Sequence, residues 1–134
     1  MRAIIAVNNL GMIGLHNGLP WKCISDFRHF KKMTMGGTLL VGHNTYQTLP
    51  NLEGRKIVLD DRKMIMLYDD IDWCIGGKKT YEKYCPYFEE LHISHIDDNT
   101  IGDVVFPDFR QLNPECRVFN YWFRGKFWLS LWGS

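Results

Sequence analysis

The sequence predicts an α/β fold in which a predominantly parallel central sheet carries helices on both faces and ends in a C-terminal antiparallel hairpin. Short apolar runs alternate with helical stretches over most of the 134 residues, which is typical of parallel strands joined by helices. Near the C-terminus, two aromatic-rich runs, Arg117–Phe123 and residues 126–132, are separated only by Arg124-Gly125, as in a two-residue hairpin. No repeat or linker divides the chain, so we expect one domain over residues 1–134.

The composition is that of a globular protein, with 46% apolar and 23% charged residues and a net charge of +1. A near-neutral chain argues against nucleic acid as a partner, because DNA-binding domains are usually basic. No apolar run reaches the roughly 18 residues of a membrane span, and the N-terminal stretch does not read as a signal peptide. The four cysteines lack metal-binding spacing, so we expect core cysteines in a reducing, cytoplasmic setting.

The individual elements follow from hydrophobic periodicity and from glycine positions. The first helix places Phe27 and Phe30 on one apolar stripe, and Gly36-Gly37 ends it. The predicted strands are residues 3–7, 38–42, 56–59, 64–67, 72–75 and 91–96, and the predicted helices are residues 25–35, 43–49 and 80–84.

Twice, a predicted buried strand runs into glycine and then into the start of a helix. The two junctions are Gly42-His43-Asn44-Thr45 and Gly76-Gly77-Lys78-Lys79-Thr80. Such junctions present free backbone N–H groups and the positive end of a helix dipole, which suit a phosphate group. An ordinary turn with two solvated lysines gives the same pattern. Neither junction is a P-loop, and no G-x-G-x-x-G fingerprint occurs.

Asp26 is the only acidic residue among the first 52 residues, and it lies in the first turn of a predicted helix. It is either a first-turn acid favoured by the helix dipole, with Ser25 as the cap, or a carboxylate that faces a pocket beside Phe27 and Phe30. The histidines are scattered, and no nucleophilic serine or cysteine stands in an elbow. We therefore expect neither a catalytic triad nor a metal site.

A further set of segments occurs in a fixed order over roughly residues 3–109. These segments are Ile13-Gly14-Leu15-His16-Asn17-Gly18-Leu19-Pro20-Trp21, Asp26 with Phe30, Gly42-His43-Asn44-Thr45, Gly54-Arg55-Lys56, Ile75-Gly76-Gly77 with Thr80-Tyr81-Glu82, and Ser94-His95-Ile96 ahead of Gly102-Asp103 and Phe106-Pro107. Together they resemble the dihydrofolate reductase family.

The resemblance implies reduction of 7,8-dihydrofolate to 5,6,7,8-tetrahydrofolate by hydride transfer from NADPH, in support of one-carbon and thymidylate metabolism. It also implies binding of diaminopyrimidine or pteridine antifolates. The expected state is a monomer, with a dimer through the C-terminal hairpin as the alternative. The run Phe127-Trp128-Leu129 is apolar on both faces, so it is either a covered strand or part of such an interface.

The resemblance also assigns roles to the residues of the substrate site. Asp26 matches the acid that binds the pterin 2-amino group and ring N3–H, Ser94 matches the hydroxyl that supports it, and Trp21 matches the tryptophan that holds an ordered water. Arg55 matches the arginine that pairs with the glutamate α-carboxylate of folate. The apolar walls and remaining substrate contacts match Ile4, Ile5, Ala6, Phe27, Phe30, Leu49, Leu52, Ile75 and Tyr81.

The residues that match the cofactor site lie partly in the segment 12–19, which matches the family's mobile loop over the nicotinamide. Others lie at the two glycine junctions and in the short segment after residue 59. Together, these residues are Ala6, Ile13, Gly14, Asn17, Gly18, Leu19, Gly42, His43, Asn44, Thr45, Arg62, Ile75, Gly76, Gly77, Lys78, Lys79, Thr80 and Tyr81.

The chain departs from the family pattern between residues 59 and 72, where a helix is missing. Asp60-Asp61 stands where small or hydroxylated residues usually lie near the cofactor 2′-phosphate. We therefore expect NADPH to be preferred to NADH by a narrower margin than is usual in the family. The trimming is typical of a compact, phage-like version.

Two other functions fit parts of the sequence. One is a non-catalytic folate- or nucleotide-binding structural subunit. The shortened segment between residues 59 and 72, which in the family holds the adenosine end of the cofactor, favours it. The other is a related reductase that acts on a pyrimidine, as in riboflavin synthesis. Asp26 and Arg55, placed for a pterin and a glutamate tail, argue against the second. Oxidation of NADPH in the presence of dihydrofolate separates these functions.

Overall fold

The computed structural model of the protein describes residues 1–14, 21, 23–60 and 70–124. In this part of the chain, six strands form one sheet: β1 (Arg2–Asn8), β3 (Thr38–Val41), β4 (Lys56–Leu59), β5 (Trp73–Cys74), β6 (Glu90–Ile96) and β8 (Arg117–Phe123). Their order in the sheet is β4-β3-β5-β1-β6-β8, and all neighbours in it are parallel. The fold class predicted from the sequence is confirmed.

In residues 1–14, 21, 23–60 and 70–124, three helices connect or flank these strands, and two short strands form a separate antiparallel pair. The helices are α1 (Ile24–Thr34), α2 (His43–Tyr46) and α3 (Lys78–Tyr84), and a 3-10 turn follows at Cys85–Tyr87. The antiparallel pair consists of β2 (Met12–Gly14) and β7 (Val104–Val105). Among the described residues, no helix is long and apolar enough to cross a membrane.

The two faces of the sheet carry different helices because side chains alternate along β1. Ile5 belongs to a buried cluster that includes Tyr81 and Tyr84 of α3. Ile4 belongs to a second cluster, against which Phe27 of α1 packs. A strand with both faces covered explains the continuous apolar run of β1.

Helix α1 lies close to its predicted bounds. It starts at Ile24, after an N-cap at Cys23 that makes no side-chain cap hydrogen bond, so the predicted cap at Ser25 is not observed. The helix ends before Gly36, whose φ of +76° is a backbone conformation that glycine adopts most readily. Helix α2 ends at Tyr46, three residues before the predicted end.

Strand β8, the first strand of the predicted hairpin, lies at the edge of the sheet next to β6. Strand β8 runs parallel to β6, from the Glu90↔Arg117 pair to the Ile96↔Phe123 pair. The intervening segment, which includes β7, is long enough for the crossover that parallel strands require. The second strand of the predicted hairpin, residues 126–132, and the predicted strand at residues 64–67 lie outside the described residues.

We expect Leu40→Ala to destabilise the fold strongly, because Leu40 of β3 is completely buried. Loss of a buried leucine side chain should lower the free energy of unfolding by about 2–5 kcal/mol, measured by chemical denaturation. The matched control is Leu10→Ala, since the side chain of Leu10 is 48% exposed. This control should change the free energy by less than about 0.5 kcal/mol, and equal effects of the two substitutions would contradict the assigned core.

Candidate active site

A cleft of about 1170 Å³ lies across the carboxyl ends of the parallel strands. Its walls come from β1, α1, β6, the two glycine junctions and the β2–β7 pair. Ligands of open α/β sheets bind at this edge of the sheet. The cleft is therefore the candidate active site.

Asp26 lies in the first turn of α1, and its side chain lines the cleft while being only 7% exposed. It accepts a hydrogen bond from the hydroxyl of Ser94 on β6. Burial disfavours the charged carboxylate and raises the pKa of Asp26 to about 6, although the Ser94 hydrogen bond opposes this rise. Of the two interpretations of Asp26, the structure selects the carboxylate that faces a pocket.

The indole of Trp21 lines the same cleft as Asp26. Trp21 is 6% exposed and packs in a cluster with Cys23 and Ile96. Its buried Nε1–H has no hydrogen-bond partner among the described residues. Because buried N–H groups are nearly always bonded, this donor suits a water molecule or a ligand acceptor.

Most of the apolar residues predicted for the substrate site line the cleft. The lining residues from that prediction are Ile4, Ile5, Ala6, Phe27, Phe30, Leu49, Ile75 and Tyr81. The rings of Phe27 and Phe30 stack with their centroids 6.2 Å apart. Leu52 does not line the cleft; it is buried in the cluster that contains Leu39 and Val41.

Arg55 lies outside the lining of the cleft, at the C-terminal end of α1. Its Nε–H donates to the Thr34 hydroxyl over 3.0 Å, and its two terminal nitrogens donate to the carbonyls of Glu53 and Lys31. These three bonds fix the guanidinium plane. They use three of the five N–H donors of arginine, so each terminal nitrogen keeps one N–H.

The two glycine junctions meet at the cleft, on adjacent strands. The Gly42 N–H donates to the Gly76 carbonyl over 2.7 Å. Neither junction has room for side chains at these glycines. A Cβ on Gly42 would lie 2.7 Å from the Thr80 hydroxyl, and one on Gly76 would lie 2.6 Å from the Tyr81 ring. The backbones of β3 and β5 therefore approach each other and the cleft without intervening side chains.

The structure brings most of the predicted cofactor residues to the cleft. Those that line it are Ala6, Ile13, Gly14, Gly42, His43, Asn44, Thr45, Ile75, Gly77, Lys78, Lys79, Thr80 and Tyr81. The predicted Asn17, Gly18, Leu19 and Arg62 lie outside the described residues. Helices α2 and α3 begin after N-caps at Gly42 and Gly77 without side-chain cap hydrogen bonds. Their first N–H groups are therefore open to a ligand.

The sequence prediction omitted several residues that line the cleft. Val104 and Val105 reach it because β7 pairs with β2, and the Asp103 N–H donates to the Gly14 carbonyl over 2.9 Å. No periodicity marks strands of two or three residues, so this pairing carries no local signal. Asp60, which the resemblance places near the cofactor 2′-phosphate, also lines the cleft.

The family model for dihydrofolate reductase matches residues 1–73 and 62–116 of this chain. A dihydrofolate reductase from Buchnera aphidicola subsp. Schizaphis graminum is 29% identical over 141 residues, covering 90% of this chain and 84% of the relative. The type 3 dihydrofolate reductase from Salmonella typhimurium is 31% identical over 129 residues, covering 82% and 78%. The chain therefore belongs to the dihydrofolate reductase family. It is an enzyme that reduces dihydrofolate with NADPH.

The fold agrees with this assignment. The structure of dihydrofolate reductase from Enterococcus faecalis, complexed with NADP(H) and RAB-propyl, superposes with a TM-score of 0.69. It is 23% identical in sequence, and the match covers 81% of this chain and 77% of that chain. At this identity the likeness establishes the fold.

The raised pKa of Asp26 gives the stability of the fold a specific pH dependence. Because the pKa is about 6 in the folded chain and 3.8 is its ordinary value, the folded state binds more protons between these pH values. Stability due to Asp26 is therefore present at low pH and lost as the pH rises from about 4 to 7. The uncharged variant Asp26→Asn escapes this loss. We expect it to gain about 2–3 kcal/mol relative to the native chain over that range.

The measurement is chemical denaturation of the native chain and Asp26→Asn at several pH values. Glu115→Gln, a change at an exposed carboxylate, serves as the control and should follow the native chain. A difference between Asp26→Asn and the native chain that stays constant from pH 4 to 7 would contradict the assigned burial of the charge.

Proposed function

We propose that the reduction of 7,8-dihydrofolate to 5,6,7,8-tetrahydrofolate takes place in this cleft, and that Asp26 is the carboxylate that holds the pterin. The observation that carries the proposal is the buried carboxylate of Asp26, bonded to Ser94 and surrounded by the apolar walls of a large cleft. A buried charge of this kind destabilises a fold, so its presence in a cleft indicates a function. A flat heterocycle with adjacent N–H donors satisfies the hydrogen-bonding capacity of this carboxylate.

The charge on Asp26 orients the pterin and favours its protonated form. A carboxylate accepts two hydrogen bonds side by side, which suits the 2-amino group and ring N3–H. With a pKa of about 6, Asp26 is mostly ionised at neutral pH. The negative charge stabilises the electron-poor, N5-protonated ring that accepts the hydride. Ser94 fixes the orientation of the carboxylate from β6.

Trp21, which precedes α1, supports the same step. Its buried, unpartnered Nε1–H holds a water molecule close to the pterin ring. Together with the apolar residues Phe27 and Phe30, it limits the access of bulk water to the reacting end of the cleft. In a water-poor site, charge that develops during hydride transfer interacts more strongly with Asp26.

The residues at the two glycine junctions fit a dinucleotide cofactor. Open backbone N–H groups of α2 and α3 and the cations Lys78 and Lys79 suit its phosphates. Gly42 and Gly76 let the two junction backbones pack closely against Thr80 and Tyr81 at this part of the cleft. When bound, NADPH supplies the hydride, and the protein supplies position and electrostatics.

We also propose that the enzyme binds diaminopyrimidine and pteridine antifolates, since their amino groups present the same donors to Asp26. We place it in a reducing, cytoplasmic setting as a monomer. All four cysteines are free thiols, and Cys23, Cys74 and Cys85 are buried, which suits a compartment without disulfide formation.

Asp26→Asn should lower kcat near neutral pH by about 10²–10⁴-fold, the usual contribution of a positioned acid or base. The amide keeps shape and hydrogen bonding but loses the charge that favours the protonated pterin. The measurement is oxidation of NADPH in the presence of dihydrofolate between pH 5 and 8. Part of the lost rate should return at low pH, where solvent protonates N5. A native rate for Asp26→Asn across this range would overturn the role of Asp26, while Glu115→Gln should keep the native rate.

Arg55→Leu should raise KM for dihydrofolate by about tenfold or more while changing kcat little, since a contact to the remote glutamate tail is largely uniform binding. The same variant should lose little or nothing with a dihydropterin substrate that lacks the glutamate. This second substrate separates tail binding from the bonds between Arg55 and the end of α1. Equal losses with both substrates would show that Arg55 acts only through the fold.

A further inference from the structure

Asp60 is a charged residue of the cleft that the proposed mechanism leaves without a role. It follows β4 directly, and its N–H donates to the Val41 carbonyl over 2.8 Å. Its side chain lines the cleft and is 13% exposed. A carboxylate in this position is fixed by the sheet and faces whatever the cleft binds.

Two residues of α3 hold this carboxylate in place. The Tyr84 hydroxyl donates to Asp60 Oδ1 over 2.6 Å, and Lys83 Nζ donates to the same oxygen over 3.1 Å. Burial and the contact with Asp60 raise the pKa of Tyr84 to about 12, so this hydroxyl remains a donor at neutral pH. Within the described ranges, no donor bonds to Oδ2. The described residues therefore leave this oxygen able to accept hydrogen bonds from a ligand.

The order of strands gives Asp60 its place relative to the substrate. Across the carboxyl edge of the sheet, the cleft passes from Ser94 on β6 to β1, then to the junctions after β5 and β3, and finally to Asp60 after β4. The pterin site with Asp26 lies at the β6 side. A dinucleotide whose nicotinamide reaches the pterin and whose phosphates lie at the junctions therefore carries its adenosine towards β4.

Carboxylates at the end of a strand distinguish the two nicotinamide dinucleotides by simple chemistry. A carboxylate accepts hydrogen bonds from the ribose hydroxyls of NAD(H), whereas it repels a phosphate on the same ribose. Lys83 offsets part of the charge of Asp60, and Lys78 and Lys79 attract phosphates elsewhere in the cleft. The remaining repulsion between Asp60 and a ribose phosphate is therefore small enough for both dinucleotides to bind.

We infer that Asp60, positioned by Tyr84 and Lys83, is a cofactor-specificity residue that binds the adenosine ribose and allows NADH to serve beside NADPH. The inference rests on the proposed function, because it uses the orientation of a dinucleotide in the same cleft. Asp60 acts on the choice of cofactor and not on the hydride step.

The test is calorimetric titration of NADP⁺ and NAD⁺ into the native chain and into Asp60→Asn, which keeps an oxygen acceptor for Tyr84 and Lys83. Removing the negative charge should tighten NADP⁺ binding by about tenfold. NAD⁺ binding should stay the same or weaken by about threefold. Glu115→Gln, which removes an exposed charge elsewhere, should leave both dissociation constants unchanged. Equal changes for the two dinucleotides, or no change for either, would overturn the inference.

A second variant acts in the opposite direction and replaces the lysine with an uncharged side chain of similar length. Lys83→Met removes the cation that offsets Asp60, so it should weaken NADP⁺ binding by about three- to tenfold with little effect on NAD⁺. An equal effect on both dinucleotides would count against the inference.

The outcome for the native chain separates the two proposals. Binding of NADP⁺ together with turnover of dihydrofolate, but with equal responses to Asp60→Asn, would overturn only the role of Asp60. A native chain that binds neither dinucleotide would overturn the proposed cleft function and, with it, this inference.

Discussion

The register between β1 and β6 is the constraint on which the site depends. Ala6 pairs with Ser94, and this pairing directs the Ser94 hydroxyl to the same face as Asp26 of α1. A slip of one residue would turn Ser94 to the other face and present Ile93 or His95 instead. The buried carboxylate would then lose its hydrogen-bond donor, which is costly for a charge with a pKa already raised to about 6.

The parallel arrangement of the sheet brings distant segments of the chain to one edge. Strands β1, β3, β4, β5 and β6 contribute residues in or just after the strand to the cleft, and helices α2 and α3 begin there. Tyr81 joins α3 to β1 at the cleft, since its hydroxyl donates to the Ile4 carbonyl over 2.6 Å. The glycines at positions 42 and 76 then allow two backbones to approach the same space. The binding surface is therefore mostly backbone at its centre and side chain at its two ends.

Charge is distributed along this cleft in a definite order. The carboxylate of Asp26 lies at the substrate end, the cations Lys78 and Lys79 lie at the α3 junction, and Asp60 lies at the β4 end. Of Asp26 and Asp60, Asp60 alone has a cation bonded to it within the described part of the chain, at 3.1 Å from Lys83. This difference fits a charge without a bonded cation for the pterin and a moderated one for the cofactor.

The sequence by itself determined the alternation of strands and helices, the bounds of α1 to within a residue, and, through the resemblance, Asp26, Ser94 and Trp21. These features depend on local periodicity, on glycine positions and on ordered motifs. Tertiary structure decided that Asp26 is buried, that Leu52 belongs to the core, that Arg55 binds the end of α1, and that Met12–Gly14 pairs with Val104–Val105. It also placed Tyr84 on Asp60, 24 residues earlier in the chain. Such contacts join segments that have no common local pattern, so only packing of the complete sheet fixes them.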